Sequence, residues 1–207
     1  MPIFLIRHAR TRLNKGNQNA EDRIRGWLQI PLSPEGREES KRIAKSLVGL
    51  GIEKLMCSDL DRAVETAQAI SDELGIPISK RSKDFRPWNL GEFQGEPTKE
   101  VIPKIHDYAE HRPDEIVPGG ESFTTFCCRL TKALRFLMEQ HKQNKLSTTA
   151  VVTHYRDLKL AEGWIGGKGN RAKMLRIFFT DNTPTGAILK IFPVKDGWDY
   201  KLIIGKK

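Results

Sequence analysis

The chain opens on an apolar run, Pro2-Ile3-Phe4-Leu5-Ile6, that ends at Arg7. A run of that length with no polar alternation reads as a strand buried on both faces, and residues 2–7 are assigned to it. A Gly- and Asn-containing loop then extends to about residue 33. Ser33-Pro34-Glu35-Gly36 has the composition of a helix start, with Ser33 as N-cap and Pro34 at the first helical position. Ile43, Leu47 and Leu50 place the apolar side of that helix, which is expected to run to about 49. Residues 53–57 give a second strand. A helix from about 60 to 74 stops at Gly75, and residues 76–79 give a short third strand. Ala150-Val151-Val152 centres a fourth strand at 148–153, and a fifth is expected at 186–192. Residues 84–120, rich in Pro and Gly, break the alternation. They read as a long functional loop, a lid-like insertion within one domain spanning 1–207. Strands separated by helices predict a three-layer α/β/α fold with a mostly parallel central sheet. In such sheets ligands bind at the carboxyl ends of the strands.

Composition narrows the class. The 207 residues are 38% hydrophobic and 29% charged, which excludes a disordered chain. No apolar run approaches the ~20 residues needed to span a bilayer. The N-terminus turns charged too early for a signal peptide, so a cytoplasmic location is expected. Cys57, Cys127 and Cys128 have no metal-type spacing and read as reduced thiols, with Cys127 and Cys128 inside a helix beside Phe123, Phe126 and Leu130. The net charge of +9 fits a nucleic acid or small anions as partner. The basic residues are scattered and lack interleaved aromatics, which disfavours nucleic acid.

Three polar clusters fall just past strand ends: Arg7-His8-Ala9-Arg10-Thr11, Ser58-Asp59-Leu60-Asp61-Arg62 and Thr153-His154-Tyr155-Arg156. In a doubly covered sheet these ends converge on one crevice. No cysteine lies in these clusters, no Walker loop is present, and no carboxylate completes a familiar metal spacing. Phosphate fits better. Arginine offers planar bidentate donors matched to phosphoryl oxygens, and a neutral imidazole can attack phosphorus, which divides one hard hydrolysis into two easier steps. A second histidine can donate to the equatorial oxygens.

These clusters carry a resemblance. Arg7, His8, Thr11 and Asn14 match the opening pattern of the histidine phosphatase superfamily, the phosphoglycerate-mutase-like group. Gly26-Trp27, Pro31-Leu32-Ser33 and Gly36 match its next motif. Ser58-Asp59-Leu60, Arg62-Ala63 and Thr66-Ala67 match the third, and Pro118 to Ser122 reproduces a further segment, all in family order. The resemblance implies a phosphohydrolase acting on phosphomonoesters, with His8 as phosphoryl acceptor, Arg7 and Arg62 as phosphate clamp, and His154 as second pocket histidine. It implies phosphate contact by Asn14 and a supporting role for Thr11 in the same loop. No metal or organic cofactor is implied. The expected partner is a small phosphorylated substrate or a phosphoprotein.

The departures are specific. Ala9 and Arg10 replace a glycine and a glutamate. Tyr155 and Arg156 replace glycines and put bulk and charge beside the pocket, so Tyr155 joins the substrate-binding candidates. Pro87 stands where many members carry the glutamate that serves as general acid. Glu92, on the same loop, is the first candidate to replace it; Asp84, Glu121 and Asp157 follow, or no carboxylate serves. Two alternatives remain open: a phosphoglycerate-type mutase, and a catalytically dead phosphate-ligand-binding protein.

Overall fold

The computed structural model describes residues 1–14, 22–143, 148–180 and 183–203. Its elements are β1 (Ile3–Arg7), α1 (Pro34–Ser46), β2 (Lys54–Ser58), α2 (Asp61–Leu74), β3 (Ile78–Ser82), α3 (Thr98–Glu110), α4 (Phe123–Lys142), β4 (Thr149–Thr153), α5 (Tyr155–Gly167), α6 (Arg171–Phe178), β5 (Ile188–Val194) and β6 (Gly197–Ile203). One six-stranded sheet has the order β3-β2-β4-β1-β5-β6. β3, β2, β4 and β1 are parallel, whereas β5 pairs antiparallel with both β1 and β6.

Alternation along the central strands explains the three layers. Ile3 and Leu5 of β1 enter one apolar core, built with α3, α4, α5 and α6; Phe4 and Ile6 enter the other, built with α1 and α2. Every residue of β1 and β4 is buried, as expected for strands covered on both faces. The predicted start of α1 is realised: Ser33 Oγ accepts from the Gly36 amide at 3.1 Å, with Pro34 in the first turn. Gly36 also admits a close approach, because a Cβ there would collide with the Arg10 carbonyl. The helix start is thereby pressed against the loop after β1. α2 ends at Gly75, whose φ of 67° is the left-handed cap that glycine adopts without strain.

The structure departs from the sequence reading in three places. The third strand lies at Ile78–Ser82 and not at 76–79. The α5–α6 helices and the β6 strand were not marked. In β6, Trp198, Tyr200 and Leu202 pack on the core, which is a period-two pattern. The 84–120 segment is not a plain loop. It carries single 3₁₀ turns at Lys83–Phe85 and Gly91–Phe93, then the thirteen-residue α3. Pro97 and Pro103 signalled a break, but Val101, Ile105, Tyr108 and Ala109 form a buried stripe at helical spacing. Burial of that stripe outweighs the hydrogen bond that Pro103 cannot donate.

Candidate active site

Parallel pairing sets the site. Arg7 ends β1 opposite Thr153, the end of β4, and the His8 amide donates to the Thr153 carbonyl at 2.9 Å. His8 and His154 therefore leave neighbouring strands side by side. Their rings lie 5.1 Å apart, centroid to centroid, at 61°. Arg62 enters from the first turn of α2, whose strand β2 pairs on the other side of β4. Together they line a cavity of about 650 Å³ with Arg10, Asn14, Asp22, Arg25, Lys99, His106, Tyr155 and Arg156.

His8 is fully buried. Its Nδ1 lies 2.7 Å from the Ala9 carbonyl, which can only accept, so Nδ1 carries the proton and Nε2 keeps a free lone pair. Burial, then the positive charges of Arg62 and Arg7, hold its pKa well below the usual histidine value. The imidazole is neutral at neutral pH. His154 is shifted the same way by burial, Arg62 and His8.

The arginines are buried without carboxylate partners. Arg62 donates to the Gly26 and Leu28 carbonyls at 2.7 and 2.8 Å, and Arg7 donates to the Thr183 carbonyl. Burial pulls the Arg7 guanidinium down to about 10 and that of Arg62 to about 9, so both stay protonated. The Nε atoms of both, and both ring nitrogens of His154, have no hydrogen-bond partner among the described residues. Desolvating an unpaired charge costs several kcal/mol. Gathering two such charges at one strand-end crevice makes a surface complementary to an anion.

The sequence candidates divide. The structure brings Arg7, His8, Asn14, Arg62, His154 and Tyr155 to the cavity wall. Thr11 is buried but does not reach it. Its amide and hydroxyl both donate to Asn14 Oδ1, at 2.8 and 3.0 Å, which fixes the Asn14 side chain on the cavity wall. Glu92 is corrected: it is exposed on the Gly91–Phe93 turn and lines no part of the cavity. Its amide is fixed to the Pro118 carbonyl, and Gly91 there has φ 45° with no room for a Cβ. The backbone is therefore held away from the bend inward that Glu92 needed. Asp84 and Glu121 also lie outside the wall; Glu121 holds the Asn89 amide and Arg129. Pro87 does line the pocket, and its carbonyl accepts from Trp27 Nε1 at 2.7 Å.

Sequence reasoning missed Asp22, Arg25 and His106. Among the described lining residues Asp22 is the one carboxylate, accepting from Arg25 at 3.0 Å and from the Thr98 hydroxyl at 2.7 Å. Both Asp22 and Arg25 lie just ahead of Gly26-Trp27, a motif whose recognition was the available signal. His106 stacks on Phe179 at 3.6 Å and brings α3 over the cavity; only the packing of α3 shows it. Among the described residues no group of three His, Cys, Asp or Glu side chains forms a metal site.

A family model described as the histidine phosphatase superfamily (branch 1) matches residues 3–186. The chain belongs to that superfamily. Phosphoglycerate mutase-like protein 4 of Arabidopsis thaliana is 33% identical over 158 residues, 73% of this chain and 65% of that protein. The chain thus spans a little under two thirds of that relative's length. Among solved structures, the alpha-ribazole phosphatase from Shigella flexneri has a TM-score of 0.76 at 19% identity, covering 100% of both chains. A mycobacterial glucosyl-3-phosphoglycerate phosphatase has a TM-score of 0.75 at 19% identity over 97% of this chain and 96% of that one. At that identity the shared property is the fold.

Proposed function

We propose that this superfamily member is a phosphatase for small phosphomonoesters, working through a phosphohistidine on His8. The observation that carries the reading is the pair of buried guanidiniums, Arg7 and Arg62, with unpartnered Nε atoms around a neutral His8. In the first step His8 Nε2 attacks phosphorus, the ester P–O bond breaks, and the equatorial oxygens are held by Arg7, Arg62, His154 and the Asn14 amide. Asp22 handles the proton. Among the described lining residues it is the one carboxyl group, and it protonates the leaving alkoxide. In the second step the carboxylate takes a proton from water, which displaces the phosphoryl group and restores neutral His8. A cavity of about 650 Å³ suits a small ester more than a protein segment. The insertion at 84–120, which supplies Pro87, Trp88, Leu90 and Lys99 to the wall, is the part that selects the leaving group. Three free cysteines support a reducing, cytoplasmic setting.

A mutase reading is supported by the name of the Arabidopsis relative. It requires the phosphoryl group to return to a second hydroxyl before water arrives. Alkaline-quench labelling tests both readings. Brief incubation with a labelled phosphomonoester is expected to leave an acid-labile, base-stable phosphate on His8, with inorganic phosphate as product. An unlabelled His8, or His8→Ala with near wild-type turnover, sinks the phosphohistidine reading; label passed to an added acceptor hydroxyl favours the mutase.

A further inference from the structure

Asp157, three residues into the helix that His154 caps, is fully buried. Its Oδ2 lies 2.8 Å from the Thr153 hydroxyl and accepts from the His154 amide at 3.2 Å. Its Oδ1 has no hydrogen-bond partner among the described residues. The Thr153 hydroxyl also lies within hydrogen-bond distance of the buried Phe85 carbonyl, at 3.0 Å. A proton count follows. The Phe85 carbonyl can only accept, and a hydroxyl has one proton to donate. Both short contacts are hydrogen bonds at once only if Asp157 supplies the second proton, in the chain Asp157 to Thr153 to Phe85. With Asp157 ionised, Thr153 must leave one acceptor facing a lone pair.

The charged neighbours do not neutralise it. Arg129, from α4, pairs with Glu121 at 2.7 Å, and Arg62, from α2, donates to the Gly26 and Leu28 carbonyls. The His154 ring is neutral. Burial is the main cause that pushes the Asp157 carboxyl up to about 7. Ionisation would place a negative charge behind His154 and near Arg62, where it opposes an anion entering from the front.

We propose that Asp157 is a positioning residue whose neutral, proton-bearing form holds His154 in place and keeps the pocket electropositive, so that anion affinity is coupled to its protonation. This rests on the phosphate-pocket reading of the site. The sign follows from linkage: the bound anion favours the protonated form, so affinity is highest at low pH and falls as pH rises through about 7.

The test uses sulfate, a dianion at every pH employed, as competitive inhibitor of the full chain, in wild type and Asp157→Asn. The wild-type inhibition constant is expected to rise, between about pH 6 and pH 8.5, on the order of tenfold more than that of the variant, the ratio given by a one-unit shift of a linked pKa. The slope is the readout, so an overall affinity change in the variant does not confuse it. Identical slopes overturn the inference while leaving the pocket intact; a wild type that binds no sulfate at any pH overturns the pocket reading and the inference with it. Infrared titration of the wild type needs no variant. A buried carboxylic C=O stretch present near pH 6 and lost near pH 9 is expected, and its absence at both overturns the protonated form.

Discussion

The floor and the roof of the cavity are made of opposite materials. The floor is polar and buried: Arg7, His8, Arg62 and His154, fixed by strand register and by hydrogen bonds to backbone carbonyls. The roof is the 84–120 segment, with Trp88, Leu90, Ile102 and Ile105 on the cavity wall and Lys99 exposed. It is fastened by side chains. Arg86 forms a bidentate pair with Asp59 at 2.6 and 2.8 Å, and Arg129 donates to the carbonyls of Lys83, Asp84, Arg86 and Pro87. A floor held by a parallel sheet cannot shift without breaking the sheet. A roof held by side chains, its ion pairs and its own apolar stripe, can change sequence while the floor stays. On the proposed function, chemistry belongs to the floor and leaving-group selection to the roof.

The largest test of that division lies in the floor. Arg62→Ala is expected to lower kcat/KM on the order of 10²–10³-fold, as for loss of one preorganised charge on a reacting oxyanion. Arg10→Ala, at the rim and replacing a family glutamate, should lower it less than about fivefold. Equal losses in a steady-state comparison would move the pocket away from Arg62.

Next comes the boundary between floor and roof, where Asp22 holds Thr98 of α3. Asp22→Asn should slow alkyl phosphates about 10–100-fold and spare aryl phosphates, because a nitrophenolate departs without a proton and an alkoxide does not. Parallel losses on both substrate types would make Asp22 a roof fastening and no proton carrier. The smallest effect is expected on the outer side of the roof. Glu92→Gln should alter kcat/KM by less than about twofold on either substrate type, as ordinary surface substitutions do. A selective tenfold loss on alkyl phosphates would return Glu92 to the pocket and require the Gly91–Phe93 turn to move.

The candidate residues show where sequence is legible. His8, Arg62 and His154 could be read because each follows a strand or opens a helix, and local pattern marks both. Thr11 could be read as part of the loop but not as a support for Asn14, since which of two neighbours faces a pocket depends on how the loop folds back. Glu92 was read by nearness along the chain. Five residues from Pro87, it is turned outward by a backbone bond from its amide to Pro118, some twenty-six positions away.

From the sequence alone came the period of the elements, the order of the motifs, the α/β class and the identity of the floor. These are encoded within short windows, by apolar runs, caps and strand-end residues. The roof was settled only in three dimensions. α3 forms despite Pro97 and Pro103 because its stripe finds a core to bury against. Asp22 and His106 meet the cavity because α3 packs there. The contacts behind His154 are likewise tertiary: Thr153 sits between Phe85 and Asp157, residues 72 positions apart, and only the fold brings the Phe85 carbonyl to that hydroxyl.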